Sequence, residues 1–148
     1  MFSQTAEYAL RAVVLMAEAS SEGGWDNKTL AKQAQVPTSY LAKVLQSLTR
    51  AGITRSKRGS KGGFALARPP QEITILEVVN AVDPIARIKK CPLGLRSHCE
   101  ILCPMHHRLD RAMAEVENVL GNSTIAELLA DTSRPKPMQE TIRFLPIV

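Results

Sequence analysis

Four side chains late in the chain have the types and spacing of a metal or redox centre. Seven residues separate Cys91 from Cys99, three separate Cys99 from Cys103, and two separate Cys103 from His106. Three thiolates and one nitrogen or oxygen donor close a four-coordinate site, and thiolates suit iron–sulfur clusters and zinc alike. Cys103 stands before Pro104, a residue well suited to the first helical position, so Cys103 falls near the N-cap, where the helix dipole favours the thiolate. His106 then lies near the third helical position, and its ring reaches back toward the cap. His98 and His107 flank the same cysteines and are alternative fourth ligands, each with the plainer alternative of a surface histidine. An odd count of three cysteines in one short stretch argues against a disulfide framework. It leaves three readings: an iron–sulfur cluster, a zinc site, or metal-free thiols that are redox-active or inert.

A second chemistry is written in charge. From Asn27 to Gln71 there is no Asp or Glu, yet the stretch holds Lys28, Lys32, Lys43, Arg50, Arg55, Lys57, Arg58, Lys61 and Arg68. The whole chain of 148 residues is only +5, so the remainder is net negative. A surface of one sign repels itself unless a polyanion meets it, and this is the footprint of phosphate binding.

The elements that position these groups follow from periodicity. Ala6, Leu10, Val13, Val14 and Ala17 fall at helical spacing within Thr5 to Ala19. A glycine-containing loop follows, then a short helix, Leu30 to Gln35, with Thr29 as its cap. Val36-Pro37 stops it. Thr38 or Ser39 caps a second helix, Tyr40 to Arg50, that buries Leu41, Val44, Leu45 and Leu48. This is a helix–turn–helix. Its outer face carries Thr38, Ser39, Lys43, Gln46, Ser47 and Arg50, short polar or basic side chains suited to base edges and phosphates. Ile53 begins a strand, and Phe64 and Leu66 alternate on its partner, with Arg55, Lys57, Arg58, Ser60 and Lys61 on or near the glycine-rich tip. A basic hairpin directly after a helix–turn–helix is a DNA-binding wing, and Arg58 is its candidate for the minor groove. Lys28 and Tyr40 complete the expected DNA-contacting set, although the rings of Tyr40 and Phe64 read as core.

After Pro69-Pro70, Thr74 caps a helix that buries Ile75, Val78, Val79 and Val82 and ends at Asp83-Pro84. Residues 85–102 read as irregular. Pro104 opens a long helix to about Leu120 with an apolar stripe of Leu109, Ala112, Met113, Val116 and Leu120. That stripe is read as a dimer contact, because two-fold DNA sites are matched by two-fold proteins. Thr124 and Glu127 form a capping box for a last helix, Ile125 to Ala130. The tail from Ser133 is proline-rich and carries Ile142-Arg143-Phe144-Leu145.

The fold class expected is therefore mainly α with a small β-hairpin: a winged helix–turn–helix with a long C-terminal dimerisation helix. The expected segments are 1–83 for DNA binding, 84–104 for a cysteine-containing sensor loop, 105–132 for dimerisation and the short helix, and 133–148 for a tail. No nucleophile–base signature, P-loop or dinucleotide fingerprint is present, so an enzyme is not expected. The basic region also lacks the exposed aromatics of an RNA-stacking module. No apolar run approaches the ~20 residues of a membrane span, and the first residues lack a signal-peptide layout, which together point to the cytoplasm.

The sequence resembles the Rrf-two (Rrf2) family of winged-helix regulators of the IscR and NsrR type. The carrying residues are Glu7-Tyr8-Ala9-Leu10-Arg11-Ala12, Leu30-Ala31, Pro37-Thr38-Ser39-Tyr40-Leu41, Ala51-Gly52-Ile53, Arg58-Gly59, Gly62-Gly63-Phe64-Ala65-Leu66-Ala67-Arg68, Ile73-Thr74-Ile75 and Val78-Val79. The resemblance covers roughly residues 1–130. It implies a homodimer on a palindromic double-stranded operator. It also implies an iron–sulfur cluster in the cysteine segment, reporting redox state, nitric oxide or iron supply; the regulator expected is a repressor. The Cys103-to-His106 ending resembles the IscR branch. Glu7 stands where the NsrR branch uses an acidic residue of the partner subunit as a ligand. Cys99 and Cys103 are closer together than is usual in the family, which leaves a two-iron or four-iron cluster undecided. The clusterless alternative is a winged-helix regulator controlled by a partner protein or small ligand.

Overall fold

The computed structural model describes residues 2–19, 24–59, 62–98 and 101–138. Helix α1 runs Gln4–Glu18, α2 Asn27–Ala34 and α3 Thr38–Arg50. Strands β1, Thr54–Lys57, and β2, Gly63–Leu66, form an antiparallel hairpin in which Thr54 faces Leu66 and Lys57 faces Gly63. A short 3-10 helix, Pro70–Glu72, leads into α4, Ile75–Val82; a 3-10 turn at Arg96–His98 precedes α5, Pro104–Gly121, and α6, Ile125–Ala130. This is the winged-helix arrangement expected, with the long helix in place.

Local chemistry sets several ends differently from the sequence reading. Helix α2 starts three residues before Leu30, because the Asp26 carboxylate, not Thr29, is the cap: it accepts the Thr29 backbone N–H at 2.9 Å. Hydrogen bonds from the Thr29 side chain and from its backbone N–H hold the Asp26 carboxyl below its ordinary pKa. Helix α3 starts at Thr38, so neither Thr38 nor Ser39 is a cap; Pro37 takes that place, and its carbonyl accepts from Tyr40 and Leu41 at 3.0 and 2.9 Å. Between the two helices Gln35 is left-handed (φ 55°), and Val36 N–H returns to the Ala31 carbonyl at 2.9 Å. That is the Schellman way of satisfying the last carbonyls of a helix.

The wing is tied back to the body by a residue that the sequence reading left in the preceding loop. Trp25 and Phe64 exchange both backbone bonds at 2.7 Å. The approach is close enough that a Cβ on Gly63 would lie 2.5 Å from the Trp25 carbonyl oxygen, which explains glycine at that position.

The core is built from small and branched aliphatics. Ala9, Ala12 and Val13 of α1, Leu30 and Ala34 of α2, and Leu41, Leu45 and Leu48 of α3 have no exposed surface. Ile53, Ile73, Val78 and Ile125 close it from the wing, α4 and α6. Alanines along α1 let its backbone approach α4, α2, α3 and α6, all of which pack on it. Helices α4 and α6 begin side by side, each under a Thr–Glu capping box (Thr74 with Glu77, Thr124 with Glu127). Ile75 N–H bonds the Ser123 carbonyl at 3.0 Å, and Ile125 N–H bonds the Ile73 carbonyl at 2.9 Å.

Helix α5 leaves this core. It packs on α4 alone to any extent, and His106 is its one buried residue among those described. The stripe read as a dimer contact is half open in the single chain: Leu109 is 47% exposed, Ala112 is exposed, and Met113, Val116 and Leu120 are partly buried. The segment Ile142-Arg143-Phe144-Leu145 lies outside the described residues.

Candidate functional site

Helix α3 presents its polar face outward because its opposite face is fully used in the core. Thr38, Ser39, Lys43, Gln46 and Arg50 are exposed and Ser47 is partly so. Lys28 of α2 and Arg55, Lys57 and Arg58 of the wing are exposed as well, whereas Ser60 and Lys61 lie outside the described residues. An open groove of about 710 Å³ runs between α2 and the start of α3, lined by Lys28, Lys32, Gln33 and Thr38 among others. These groups together make a cationic, hydrogen-bonding surface across the helix–turn–helix and the hairpin.

Tyr40 is not core. It is 38% exposed, its hydroxyl lies 2.5 Å from Thr5 Oγ1, and its ring meets Tyr8 edge-on with centroids 5.6 Å apart. Arg11 in turn lies over the Tyr8 ring at 5.8 Å. The first turn of α3 is thus braced against α1. Asn27 adds a second brace, donating from Nδ2 to the Thr38 carbonyl at 3.3 Å.

Arg68, one of the nine basic residues of the acid-free stretch, is a strut. Its guanidinium donates to the Gly52 carbonyl at 3.4 Å, the Glu72 carbonyl at 2.8 Å and Glu77 Oε1 at 2.8 Å. It joins the end of α3, the exit of the wing and the N-terminus of α4. Burial pushes the Glu77 carboxyl up, but the Thr74 N–H and the Arg68 guanidinium outweigh it and hold the carboxyl below its ordinary value.

At the cysteine segment, Cys103 is the N-cap of α5, and its Sγ lies 3.3 Å from His106 Nδ1. His106 and Cys91 are buried, 9% and 8% exposed; His107 is exposed. His98 ends the short 3-10 turn, and Cys99 lies outside the described residues. Glu7 is engaged in its own helix, 3.5 Å from Arg11 Nε. Among the described residues no three His, Cys, Asp or Glu side chains converge as a metal-sized group. The structure does bring together the thiol and imidazole that the spacing singled out, and a soft sulfur beside an imidazole at a helix N-terminus is a donor set that iron–sulfur clusters and zinc both accept.

The segment that leads to Cys91 is fastened to α5 by Arg87. Its Nε and Nη2 each donate to one oxygen of Asp110 at 2.7 Å, Nη1 donates to Glu117 at 3.2 Å, and Ile88 N–H adds a bond to Asp110 at 2.9 Å. The Arg87 bonds hold the Asp110 carboxyl below its ordinary value and push the guanidinium pKa higher still. Beside it, Phe2, Val79, Ile85, Leu109, Met113 and Val116 line an open apolar groove of about 400 Å³.

Residues 2–131 match the Rrf2 family, described as iron-dependent transcriptional regulators. The chain belongs to the Rrf2 family. It is therefore a DNA-binding transcriptional regulator, in a family of regulators and not of enzymes. A Mycobacterium tuberculosis protein named as a helix–turn–helix transcriptional regulator is 32% identical over 127 residues, spanning 85% of this chain and 79% of that protein. Two solved structures share the fold. T. potens IscR superposes with a TM-score of 0.72 at 22% identity, covering 93% of each chain. CymR, the global cysteine regulator of B. subtilis, superposes with a TM-score of 0.71 at 23% identity, covering 88% of this chain and 96% of that one. No helix among the described residues of this Rrf2 regulator is long and apolar enough to cross a membrane.

Proposed function

We propose that this Rrf2 regulator is a cytoplasmic homodimeric repressor that reads a palindromic operator and is gated by an iron–sulfur cluster held through Cys91, Cys99, Cys103 and His106. The observation that carries the reading is the Cys103 thiol lying 3.3 Å from the His106 imidazole at the head of α5. The family's description as iron-dependent supports the same choice of group. Glu7 of a partner subunit, His98 and His107 are the alternatives for the fourth ligand.

DNA recognition in this reading divides between elements. Lys28, Lys43, Arg50, Arg55 and Lys57 meet phosphates. Thr38, Ser39, Gln46 and Ser47 approach base edges in the major groove, and Tyr40 holds the first turn of α3 against α1. Arg58, with Ser60 and Lys61 beside it, enters the minor groove. The half-exposed stripe Leu109, Ala112, Met113, Val116 and Leu120 is the dimer contact, since α4 covers only part of it.

A cluster bound at the cysteines supplies sensitivity to oxidants and nitric oxide. The chain's own part is to relay the state of segment 84–103. Helix α4 joins the two regions, fixed through Arg68 to the wing at one end and leading into the sensor segment at the other. Half-site spacing on B-DNA tolerates little change in the angle between winged-helix units. A coupling of ~1–3 kcal/mol shifts affinity about 5–150-fold.

Wild type and a triple Cys→Ala variant, each purified without oxygen, test the reading. The expected result is a coloured wild type containing iron and sulfide, and a different operator affinity for the variant. A colourless, iron-free wild type or equal affinities would make the gating wrong. Tightly bound zinc would reassign the cysteines to a structural site.

A further inference from the structure

We propose that Arg87 and Asp110 are positioning residues that hold the segment leading to Cys91 on α5, within reach of the Cys103–His106 pair, before any metal is bound. The inference rests on the reading of these cysteines as ligands.

Cys91 belongs to a stretch, 83–103, whose described residues contain no strand and only one turn of 3-10 helix. No backbone ladder places it. Cys103 and His106, by contrast, are placed by α5. The described side-chain hydrogen bonds that fasten this segment to the helix run from Arg87 and Ile88 to Asp110 and Glu117. Its fork meets both oxygens of Asp110 at 2.7 Å, and the next backbone N–H, that of Ile88, donates to the same carboxylate at 2.9 Å. A bidentate guanidinium fixes orientation as well as distance. The added main-chain bond fixes the chain itself, beyond the reach of a flexible side chain.

The register fits. Cys103, His106, Asp110 and Glu117 are spaced by three, four and seven residues, so they share one face of α5. Asp110 lies seven residues beyond Cys103, about 10 Å of helix at 1.5 Å per residue. Cys91 lies four residues beyond Arg87, a span of up to roughly 14 Å when extended. The clamp therefore leaves enough chain for Cys91 to reach the ligand pair, with little to spare for wandering. The low exposure of Cys91 agrees with a segment held down and not splayed into water. Isolated surface ion pairs contribute little to stability. Asp110 differs in accepting three donors, and its side chain is only 18% exposed. A lysine has the charge of Arg87 without the fork and cannot replace it.

The test uses the full-length reduced, metal-free protein as wild type, Arg87→Lys and Asp110→Asn. Two quantities are read: the alkylation rate of each cysteine by peptide mapping, and cobalt(II) affinity from the thiolate-to-cobalt absorption band. Both variants should alkylate Cys91 about tenfold faster, as expected for local opening, with Cys103 little changed. Cobalt affinity should fall about 10-fold or more, the usual cost of losing a group that orients a ligand. Far-UV circular dichroism and melting checks folding, and Arg87→Lys keeps the charge and stem should Asp110→Asn fold poorly. Unchanged Cys91 reactivity, or a cobalt affinity equal to that of wild type, overturns the positioning role. A wild type with no thiolate-to-cobalt band overturns the ligand reading itself, and this inference with it.

Discussion

The winged-helix unit and the cysteine-bearing region are held by different forces. In the first, α1 to α4 with the hairpin and α6 share a continuous aliphatic core in which Leu30, Leu41, Leu45, Leu48, Ile73 and Ile125 are fully buried. In the second, α5 buries only His106 among its residues, and segment 84–91 lies on it through Arg87, Asp110 and Glu117. Apolar burial is non-directional and redundant, so the DNA-reading unit behaves as one rigid body. A few directional polar contacts can be made or broken singly. An element that must change position with a signal is better built from the second kind. The chain also returns to the rigid unit after α5, since Ile125 of α6 sits in the core. The long helix is thus followed by an element anchored in the core, while the cysteine-bearing segment is fastened to it by polar contacts.

The largest effect should come from cutting the rigid region. Leu45→Ala removes a fully buried side chain from the core and should cost about 2–5 kcal/mol. Leu109→Ala on the open stripe should cost well under ~1 kcal/mol when both proteins are compared as monomers. Urea melts of the two variants decide it, and similar losses would mean that the two regions are not differently packed.

Next comes assembly. Met113→Glu places a carboxylate in the half-open stripe and should shift the protein to monomer, because burying it unpaired across an interface is costly. Sedimentation should show the change, with operator affinity falling as one half-site is lost. A variant that remains a dimer would make the stripe a contact within one chain.

A smaller effect tests the Arg68 strut by pH. The folded Glu77 carboxyl titrates below its ordinary value of 4.5. A depressed carboxylate adds stability that is present above the unfolded value and is lost as pH falls through the folded one. Glu77→Gln should therefore lower the melting temperature at neutral pH and make the decline below about pH 4.5 shallower. The decline will not vanish, because Asp26 and Asp110 are depressed as well. An unchanged acid limb would mean that the strut contributes no pH-dependent stability.

Much of the fold was legible because its signals are local. Leucines and valines at helical spacing marked α3 and α4, Pro104 marked the head of α5, and Thr124 with Glu127 marked α6. Glycines beside Arg58 marked the wing. The missed features are links between distant residues. Arg68 looked like one more phosphate-seeking cation, and only its position after the hairpin, ahead of a Thr74–Glu77 cap, hinted at a carboxylate partner. Arg87 and Asp110 are 23 residues apart, and their meeting depends on how an irregular segment lies on a helix. The one clue was two acids, Asp110 and Glu117, spaced for one helix face. Tyr40 was read as core because it is aromatic; its hydroxyl bond to Thr5 requires α1 and α3 to be placed first. For the cysteine site, spacing identified the Cys103–His106 pair, since both lie in one helical turn. It could not say what fastens the segment leading to Cys91 to the same helix.

The smallest predicted effect lies at the turn between α2 and α3. Gln35 is exposed and left-handed, with φ 55° and ψ 47°, in the position where helices most often carry glycine. A residue with a Cβ loses roughly 1–2 kcal/mol in that conformation. Glycine would remove the strain but has more freedom to lose on folding, by roughly 0.5–1 kcal/mol. The strain is the larger quantity, so Gln35→Gly should stabilise the protein by about 0.5–1 kcal/mol. The two backbone bonds at this cap, from Gln35 N–H to Lys32 and from Val36 N–H to Ala31, require no side chain and should survive. Because they fix the angle between α2 and α3, operator affinity should stay at the wild-type level while the melting temperature rises. A lower melting temperature would show that the Gln35 side chain offsets its own backbone strain. Weakened DNA binding with a raised melting temperature would instead place Gln35 in the DNA-contacting surface of the reading unit.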